Sequence, residues 1–253
     1  VSYGSGSPVR PINIFKRVNV NILPNQLHNL YDTNSPFPHI TIDNFIEDDL
    51  AVECYNELKN YRFWGYDNTK YSAEAQVNKF FTPWNDDNVQ DIMTYMPSVW
   101  KALSYYNSPA FLDHLEEITG ISGLISDWKF QGGGCHKTER GGRLSIHTDY
   151  QKHTETQLHR RLNMLVYLNP NWKDEWGGGL QLVDFETRKV SKVVSPKFRR
   201  MILFNTTNRS LHGHPDPISC PEHEARYSFA LYYFTKDRPQ HEISDDIAAI
   251  WYK

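Results

Sequence analysis

Residues 143–153 read RLSIHTDYQKH. In this stretch His147 and Asp149 stand two apart, the spacing at which two side chains leave a strand on the same side. An imidazole and a carboxylate so placed can give a divalent metal two of its ligands. The pattern is not unique. With 11 His and 30 acidic residues, the chain also carries His114-Leu115-Glu116, His153-Thr154-Glu155 and His214-Pro215-Asp216. The first of these falls in a helical pattern, where two positions mean roughly 200° around the axis, so the side chains cannot converge. His153 and Glu155 fall in QKHTETQLHRR, which reads as loop, and Pro215 interrupts any strand through 214–216. Position therefore favours His147 and Asp149.

Two histidines and one carboxylate on one face of an octahedral iron leave three positions open. NRSLHGHPDP supplies His212 and His214. The two share strand parity, so alternation does not choose between them. In ARYSFALYY, Arg226 and Ser228 point to one face, with Tyr232 further along it. Guanidinium binds carboxylate bidentately and a hydroxyl adds a donor, so this pair suits a dicarboxylate. In LNMLVYLN, Asn163, Leu165 and Tyr167 share a face. An inward Asn and Tyr need polar partners, which a bound 2-oxoglutarate would provide.

The elements that must position these residues divide the chain in two. DNFIEDDLAVECYNELKNY (43–61) predicts a helix, with Leu50, Val52, Tyr55 and Leu58 at helical spacing and Asp48 or Asp49 as cap. HITID just before it alternates as a short strand, and residues 62–90 read as aromatic and irregular. A second helix is expected over Val89–Leu103. A third has Ser108 as N-cap, Pro109 at its first position and Gly120 as its stop. From about 127 the runs DWKFQGGG, GRLSIHTDY, RLNMLVYLNP, GGGLQLVD, RKVSKVVSP, RRMILFNT and RYSFALYYFT alternate with turns, and no helix separates them. That pattern predicts a sandwich or barrel with the helical half packed on it. GGG at 132–134 and at 177–179 reads as turns with positive φ rather than phosphate cradles. His153, His159 and His223 read as solvated, and Tyr232 as a core aromatic.

Composition narrows the function. A net charge of −3 and pI near 6.4 make no electrostatic case for nucleic acid or an anionic membrane. The basic pairs Arg160-Arg161 and Arg199-Arg200 are too short to form a binding stripe. Cys54, Cys135 and Cys220 are odd in number and far apart, which argues against a disulfide framework and for a reducing, cytoplasmic setting. No apolar run reaches membrane-span length, and no signal-peptide core is visible. VSYGSGSP at the start reads as a flexible leader or a cloning remnant.

Together these pieces resemble the prolyl 4-hydroxylase branch of the iron(II)/2-oxoglutarate dioxygenases. The likeness rests on GGGCH followed by RLSIHTD, then RLNMLVYLNPNWKDEWGGGLQL, LFNTTNRSLHGHP and RYSFALYYFTKDRP. The Tyr-Leu-Asn, Trp, Gly-Gly run also resembles the ribosomal prolyl hydroxylases, and FPHITIDNFI is similar to the start of many bacterial members. The resemblance covers nearly the whole chain past residue 36. It implies an α+β fold, a double-stranded β-helix (jelly-roll, cupin-like) barrel with N-terminal helices packed on it. Residues 1–36 would be leader and N-terminal extension and 37–253 a single domain, with helical support about 43–120 and the catalytic barrel about 127–240.

By the same resemblance, His147 and Asp149 match the first two iron ligands. His212 in SLHG matches the distal histidine, with His214 as runner-up. Arg226 and Ser228 match the site of the distal carboxylate of 2-oxoglutarate, and Tyr167 matches a tyrosine that donates to it. His136 falls where some members have a tyrosine near the cosubstrate, and strand parity puts Asn163 near it as well. Two departures are visible. Collagen-type members use Lys where this chain has Arg226, and the 14-residue step from His212 to Arg226 implies a longer loop, GHPDPISCPEHEA. The implied reaction is hydroxylation of a C–H bond with iron(II), O2 and 2-oxoglutarate, ascorbate serving as reductant. Peptidyl proline is the default substrate. A free amino acid or small metabolite is the alternative, and a non-catalytic cupin-like binder the rival from another class. Halogenation is disfavoured because Asp149 fills the carboxylate position. NKFFTPWNDD (78–87) is a candidate lid that would decide the substrate.

Overall fold

Strand alternation in the second half of the chain is strict enough to build both faces of a sheet. In β11 (Arg226–Thr235), Tyr227, Phe229, Leu231 and Tyr233 enter one apolar cluster, while Ala230, Tyr232 and Phe234 enter another. β6 (His159–Tyr167) divides likewise, with Leu162, Met164 and Val166 on one side and Leu165 and Tyr167 on the other. Both strands are therefore covered on both faces, and their sequences read as nearly continuous apolar runs. The structure, a computed structural model, describes residues 24–66, 75–82, 88–243 and 248–252.

The first cluster lies between the sheet and the helices: α1 (Pro24–Thr33), α2 (Asp48–Asn60), α3 (Asn88–Tyr95), α4 (Pro97–Tyr106) and α5 (Pro109–Thr119). The second fills the barrel interior. The remaining strands are β1 (His39–Ile42), β2 (Gly65–Tyr66), β3 (Gln76–Phe81), β4 (Ile125–Ser126), β5 (Gly134–Thr148), β7 (Leu180–Val183), β8 (Val190–Val194), β9 (Met201–Asn205), β10 (Leu211–His214) and β12 (Ile250–Trp251). The main path runs β1-β9-β6-β11-β5-β10-β7-β8, with β12 and β3 on β5, β2 on β3 and β4 on β11. The sheet curls into a nearly closed antiparallel jelly roll, a double-stranded β-helix with helices on one side, as the α+β expectation had it.

Several local expectations need correction. The helix expected from 43 starts at Asp48, because Asn44 takes φ 53° and Phe45 and Ile46 drop into the core as loop. Its N-cap is Glu47, without a side-chain cap bond, and Asp48 and Asp49 sit in the first turn. The buried stripe is Ala51, Cys54 and Leu58, whereas Val52 faces solvent. The helix expected over 89–103 is two, since Pro97 cannot continue α3 and instead opens α4. The irregular stretch 62–90 contains β2 and β3. DWKFQGGG is a turn, not a strand: the Asp127 carboxylate accepts the Lys129 and Gln131 N–H groups, and Phe130 has φ 51°. By contrast α5 starts on Ser108, whose hydroxyl accepts the Phe111 N–H, and ends at Gly120 as expected.

Residues 24–36, read as part of an extension, include α1. It docks on the domain through buried Leu27 and Tyr31, and the Tyr31 hydroxyl donates to Asn205 Oδ1 at 2.6 Å. The leader VSYGSGSP and the last part of the lid candidate, 83–87, lie outside the described residues. Residues 78–81 of that candidate belong to β3, where Lys79, Phe80 and Phe81 pair with β5 and Asn78 sits at an irregularity.

Candidate active site

β10 and β5 are antiparallel, and His212 lies directly opposite His147. Gly213 makes this closeness possible: a Cβ there would stand 2.6 Å from the Ser145 carbonyl oxygen. Both rings are oriented from behind. His147 Nδ1 is 2.9 Å from the Ser145 oxygen, and His212 Nδ1 is 2.9 Å from the Ser210 oxygen. A carbonyl only accepts, so each ring carries its proton on Nδ1 and turns the Nε2 lone pair inward. His147 Nε2 is 3.7 Å from Asp149 Oδ1, and His212 Nε2 is 3.6 Å from Asp149 Oδ2. The three candidate ligand atoms lie within 4.8 Å of one another, and all three residues are buried.

Asp149 is supported in turn. Its Oδ2 accepts from Asn163 Nδ2 at 3.1 Å and faces Arg160 Nη2 at 2.9 Å. Arg160 is 1% exposed, and its guanidinium carbon sits 3.4 Å from the Tyr232 ring centre and 4.5 Å from that of Tyr150. The two tyrosine hydroxyls donate to the Gly132 and Gln131 carbonyls, which ties this stack to the 127–133 turn. Burial would raise the Asp149 carboxyl, but Arg160, then His212 and His147, outweigh it and hold it down to about 2. Burial pushes His147 down to about 3, and burial likewise lowers His212. At neutral pH the site thus holds one carboxylate and two neutral imidazoles.

The same cavity, of about 200 Å³, extends to Arg226, Ser228, His136 and His214, with Leu165 and Leu180 on its walls. Arg226 is 3% exposed and makes no ion pair among the described residues. Its Nε donates to the Gly178 carbonyl at 2.8 Å and its Nη2 to the Tyr167 hydroxyl at 3.3 Å. Gly178, at φ 71°, is the residue that can pass there, since a Cβ would meet Arg226 Cδ at 3.2 Å. Ser228 stands opposite Tyr167 on one side and His136 on the other. His136 Nε2 bonds the Gly132 carbonyl at 3.1 Å, and burial, then Lys79, hold its ring well below the ordinary histidine range. The Trp251 ring stacks on His147, centroids 4.6 Å apart and planes at 23°, and with Ala249 closes part of the cavity wall.

The structure therefore gathers His147, Asp149, His212, Arg226, Ser228, His136 and Asn163 around one cavity. Asn163 is committed to Asp149, and Tyr167 does not line the cavity but props Arg226 from behind. His214 lines it too, apart from the three-residue cluster, and among the described residues neither ring nitrogen has a partner outside His214 itself. His153 is not solvated as expected: it is buried beside Phe234, with Nε2 3.6 Å from Asp127. Sequence reasoning missed Arg160 and Trp251. Strand parity puts Arg160 on the outer face with Leu162, but a bulge at Arg161 turns it inward. Paired carboxylate chemistry at Asp149 is the one signal that a nearby cation was needed.

A family model described as the 2OG-Fe(II) oxygenase superfamily matches residues 133–234, the span from the turn before β5 nearly to the end of β11. It contains every residue of the cluster and the clamp. The match places residues 133–234 in the 2OG-Fe(II) oxygenase superfamily. Among curated relatives of this oxygenase, the prolyl 3,4-dihydroxylase OGFOD1 of Ostreococcus tauri is 24% identical over 245 residues, covering 90% of this chain. The chain spans 43% of the length of that relative. Solved structures share the fold. A prolyl hydroxylase from Trichoplax adhaerens, in complex with a hypoxia inducible factor peptide fragment, matches with TM-score 0.50 and 21% identity over 85% of this chain and 88% of that one. HygX of Streptomyces hygroscopicus, with nickel and 2-oxoglutarate bound, matches with TM-score 0.56 and 12% identity over 91% and 97%. Iron(II) and 2-oxoglutarate fit the residues present: two neutral imidazoles and a carboxylate converge in the cavity, and a buried cation without an acidic partner among the described residues lines it too.

Proposed function

We propose that this domain is an iron(II)- and 2-oxoglutarate-dependent hydroxylase whose prime substrate is a prolyl residue in a peptide or protein. One observation carries the reading. A His147–Asp149–His212 cluster, with both Nε2 lone pairs turned inward, shares a buried cavity with Arg226, a guanidinium that has no carboxylate of its own among the described residues. In this reading His147 and His212 hold the metal through Nε2 and Asp149 through its carboxylate. When bound, iron with O2 supplies the oxidising chemistry, coupled to decarboxylation of 2-oxoglutarate to succinate.

The chain's own residues set position and surroundings. Arg226 forks onto the distal carboxylate, Ser228 adds a hydroxyl donor, and Tyr167 keeps the guanidinium from turning away. Leu165 and Leu180 keep water from the methylene chain between the two ends. Arg160 and Asn163 hold Asp149 ionised and in one rotamer, so the ligand set needs no rearrangement to accept the metal. The prolyl assignment leans on the curated relative. The three buried free cysteines support a reducing compartment.

Purified protein supplied with iron(II) and ascorbate should convert 2-oxoglutarate to succinate. Proline-containing peptides should stimulate turnover and gain one oxygen atom by mass spectrometry. Stimulation by free amino acids instead of peptides would move the substrate to the small-molecule class. Absence of succinate under every condition would leave the non-catalytic binder as the surviving reading.

A further inference from the structure

His214 is the unexplained residue of the cavity. It lies two positions beyond His212 on β10, is 2% exposed, and lines the same space as Arg226, Ser228 and Leu180. Among the described residues, neither Nδ1 nor Nε2 has a hydrogen-bond partner outside His214 itself. That sets it apart from His147, His212 and His136, each of which is tied by a ring nitrogen to a backbone carbonyl. It is also outside the three-residue cluster, so a metal at that cluster does not satisfy it. A buried imidazole left unpaired is costly, and an apolar side chain of the same size would suit an empty cavity better.

We infer that His214 is a specificity-determining contact for the cosubstrate, donating a ring N–H to the distal carboxylate that Arg226 holds. This deepens the proposed function and rests on it. The argument is one of placement. The His214 ring lines the same cavity as Arg226 and feels its charge, and that cation, without an acidic partner among the described residues, marks the place of an anion. A carboxylate has about four lone-pair sites, so a bidentate fork and the Ser228 hydroxyl leave room for a further donor. With His214 engaged, the pocket distinguishes a five-carbon dicarboxylate from keto acids that lack the second carboxylate more sharply than Arg226 alone would.

The test uses the full chain loaded with manganese(II), which binds without turnover, and two ligands titrated calorimetrically: 2-oxoglutarate, and 2-oxobutyrate, which has the keto acid end but no distal carboxylate. His214→Leu should weaken 2-oxoglutarate about tenfold or more, as expected for a lost hydrogen bond to a charged group, and leave 2-oxobutyrate and manganese affinity within about twofold. The metal-free His214→Leu protein should melt higher than its parent, because the orphaned nitrogens are gone; a residue that merely filled space would give no such opposed shifts. His214→Asn, which keeps an N–H, should recover part of the lost affinity. Equal weakening of both keto acids, or no weakening of either, overturns the inference while leaving the proposed function intact. A parent protein that binds manganese but no 2-oxoglutarate overturns the proposed function, and the inference with it.

Discussion

The two ends of the cavity are built on opposite plans. At the His147 end each candidate ligand is held from behind: ring Nδ1 atoms on backbone carbonyls, the carboxylate on Arg160 and Asn163, and the guanidinium between two tyrosines, with Arg160 Nε and Asn163 Oδ1 the atoms left without a hydrogen bond among the described residues. At the Arg226 end, among the described residues, the guanidinium has a carbonyl and a phenol as hydrogen-bond partners and the imidazole of His214 has none outside its own residue. The first end is organised before anything binds. The second turns its cation toward the cavity, an arrangement that suits an anion. Metal sites need geometry fixed in advance, because three ligands must meet at one point. A carboxylate site tolerates an unfilled state, because one anchored fork can wait.

Substitutions should expose that contrast. The largest effect is expected at the prearranged end. His147→Ala, Asp149→Ala or His212→Ala should reduce metal affinity by about a hundredfold or more and abolish succinate formation, whereas His214→Ala should keep the metal. A metal titration that ranked His214 above His212 would transfer the ligand role.

Arg226→Ala should leave metal binding nearly unchanged and raise the KM for 2-oxoglutarate by roughly tenfold to a hundredfold, since the deletion strands a buried carboxylate. Arg226→Lys keeps the charge without the fork and should fall between, and Tyr167→Phe should cost only about 1 kcal/mol. Steady-state kinetics with varied 2-oxoglutarate would read all three. An unaltered KM in Arg226→Ala would place the clamp elsewhere.

The metal-free protein should lose stability as pH falls below about 6.5. Burial lowers the pKa of His136, His147, His212 and His214, so the unfolded chain takes up protons there that the folded chain refuses. Each ring then removes up to about 1.4 kcal/mol per pH unit. Asp149, held down to about 2, contributes stability that is lost only as the pH drops through the ordinary carboxylate range, below this window. A melting temperature flat from pH 7.5 to pH 5.5 would contradict buried neutral rings at both ends.

A last substitution tests the support behind Asp149. Arg160→Leu removes the cation beside the carboxylate, and metal affinity should drop about tenfold with 2-oxoglutarate binding less affected. An equal loss of both would mean that Arg160 serves the whole cavity rather than one end.

How much of this could be read from the chain follows the same division. His147 and Asp149 sit at i, i+2 near the end of one long strand, so alternation alone brings them to one side, and Arg226 and Ser228 follow the same rule on β11. Helix α5 was legible because Ser108, Pro109 and Gly120 are local signals that need no tertiary help. Parity left His212 and His214 equivalent; the difference lies in what each nitrogen meets, which is long-range information. Arg160 was unreadable because the bulge that turns it inward has no mark in RRLN. The early start assigned to α2 failed for a related reason: Phe45 and Ile46 are apolar because they are buried, not because they are helical.

Trp251 has an optical consequence. Its indole is stacked on a ring that is the first candidate to hold metal, at 4.6 Å between centroids, while Trp128 is 45% exposed. An open-shell ion seated at His147 lies within quenching range of that excited state, and a closed-shell ion such as zinc in the same place does not quench by that route. The emission of this chain therefore carries its own label-free gauge of which kind of metal the site holds, and how full it is.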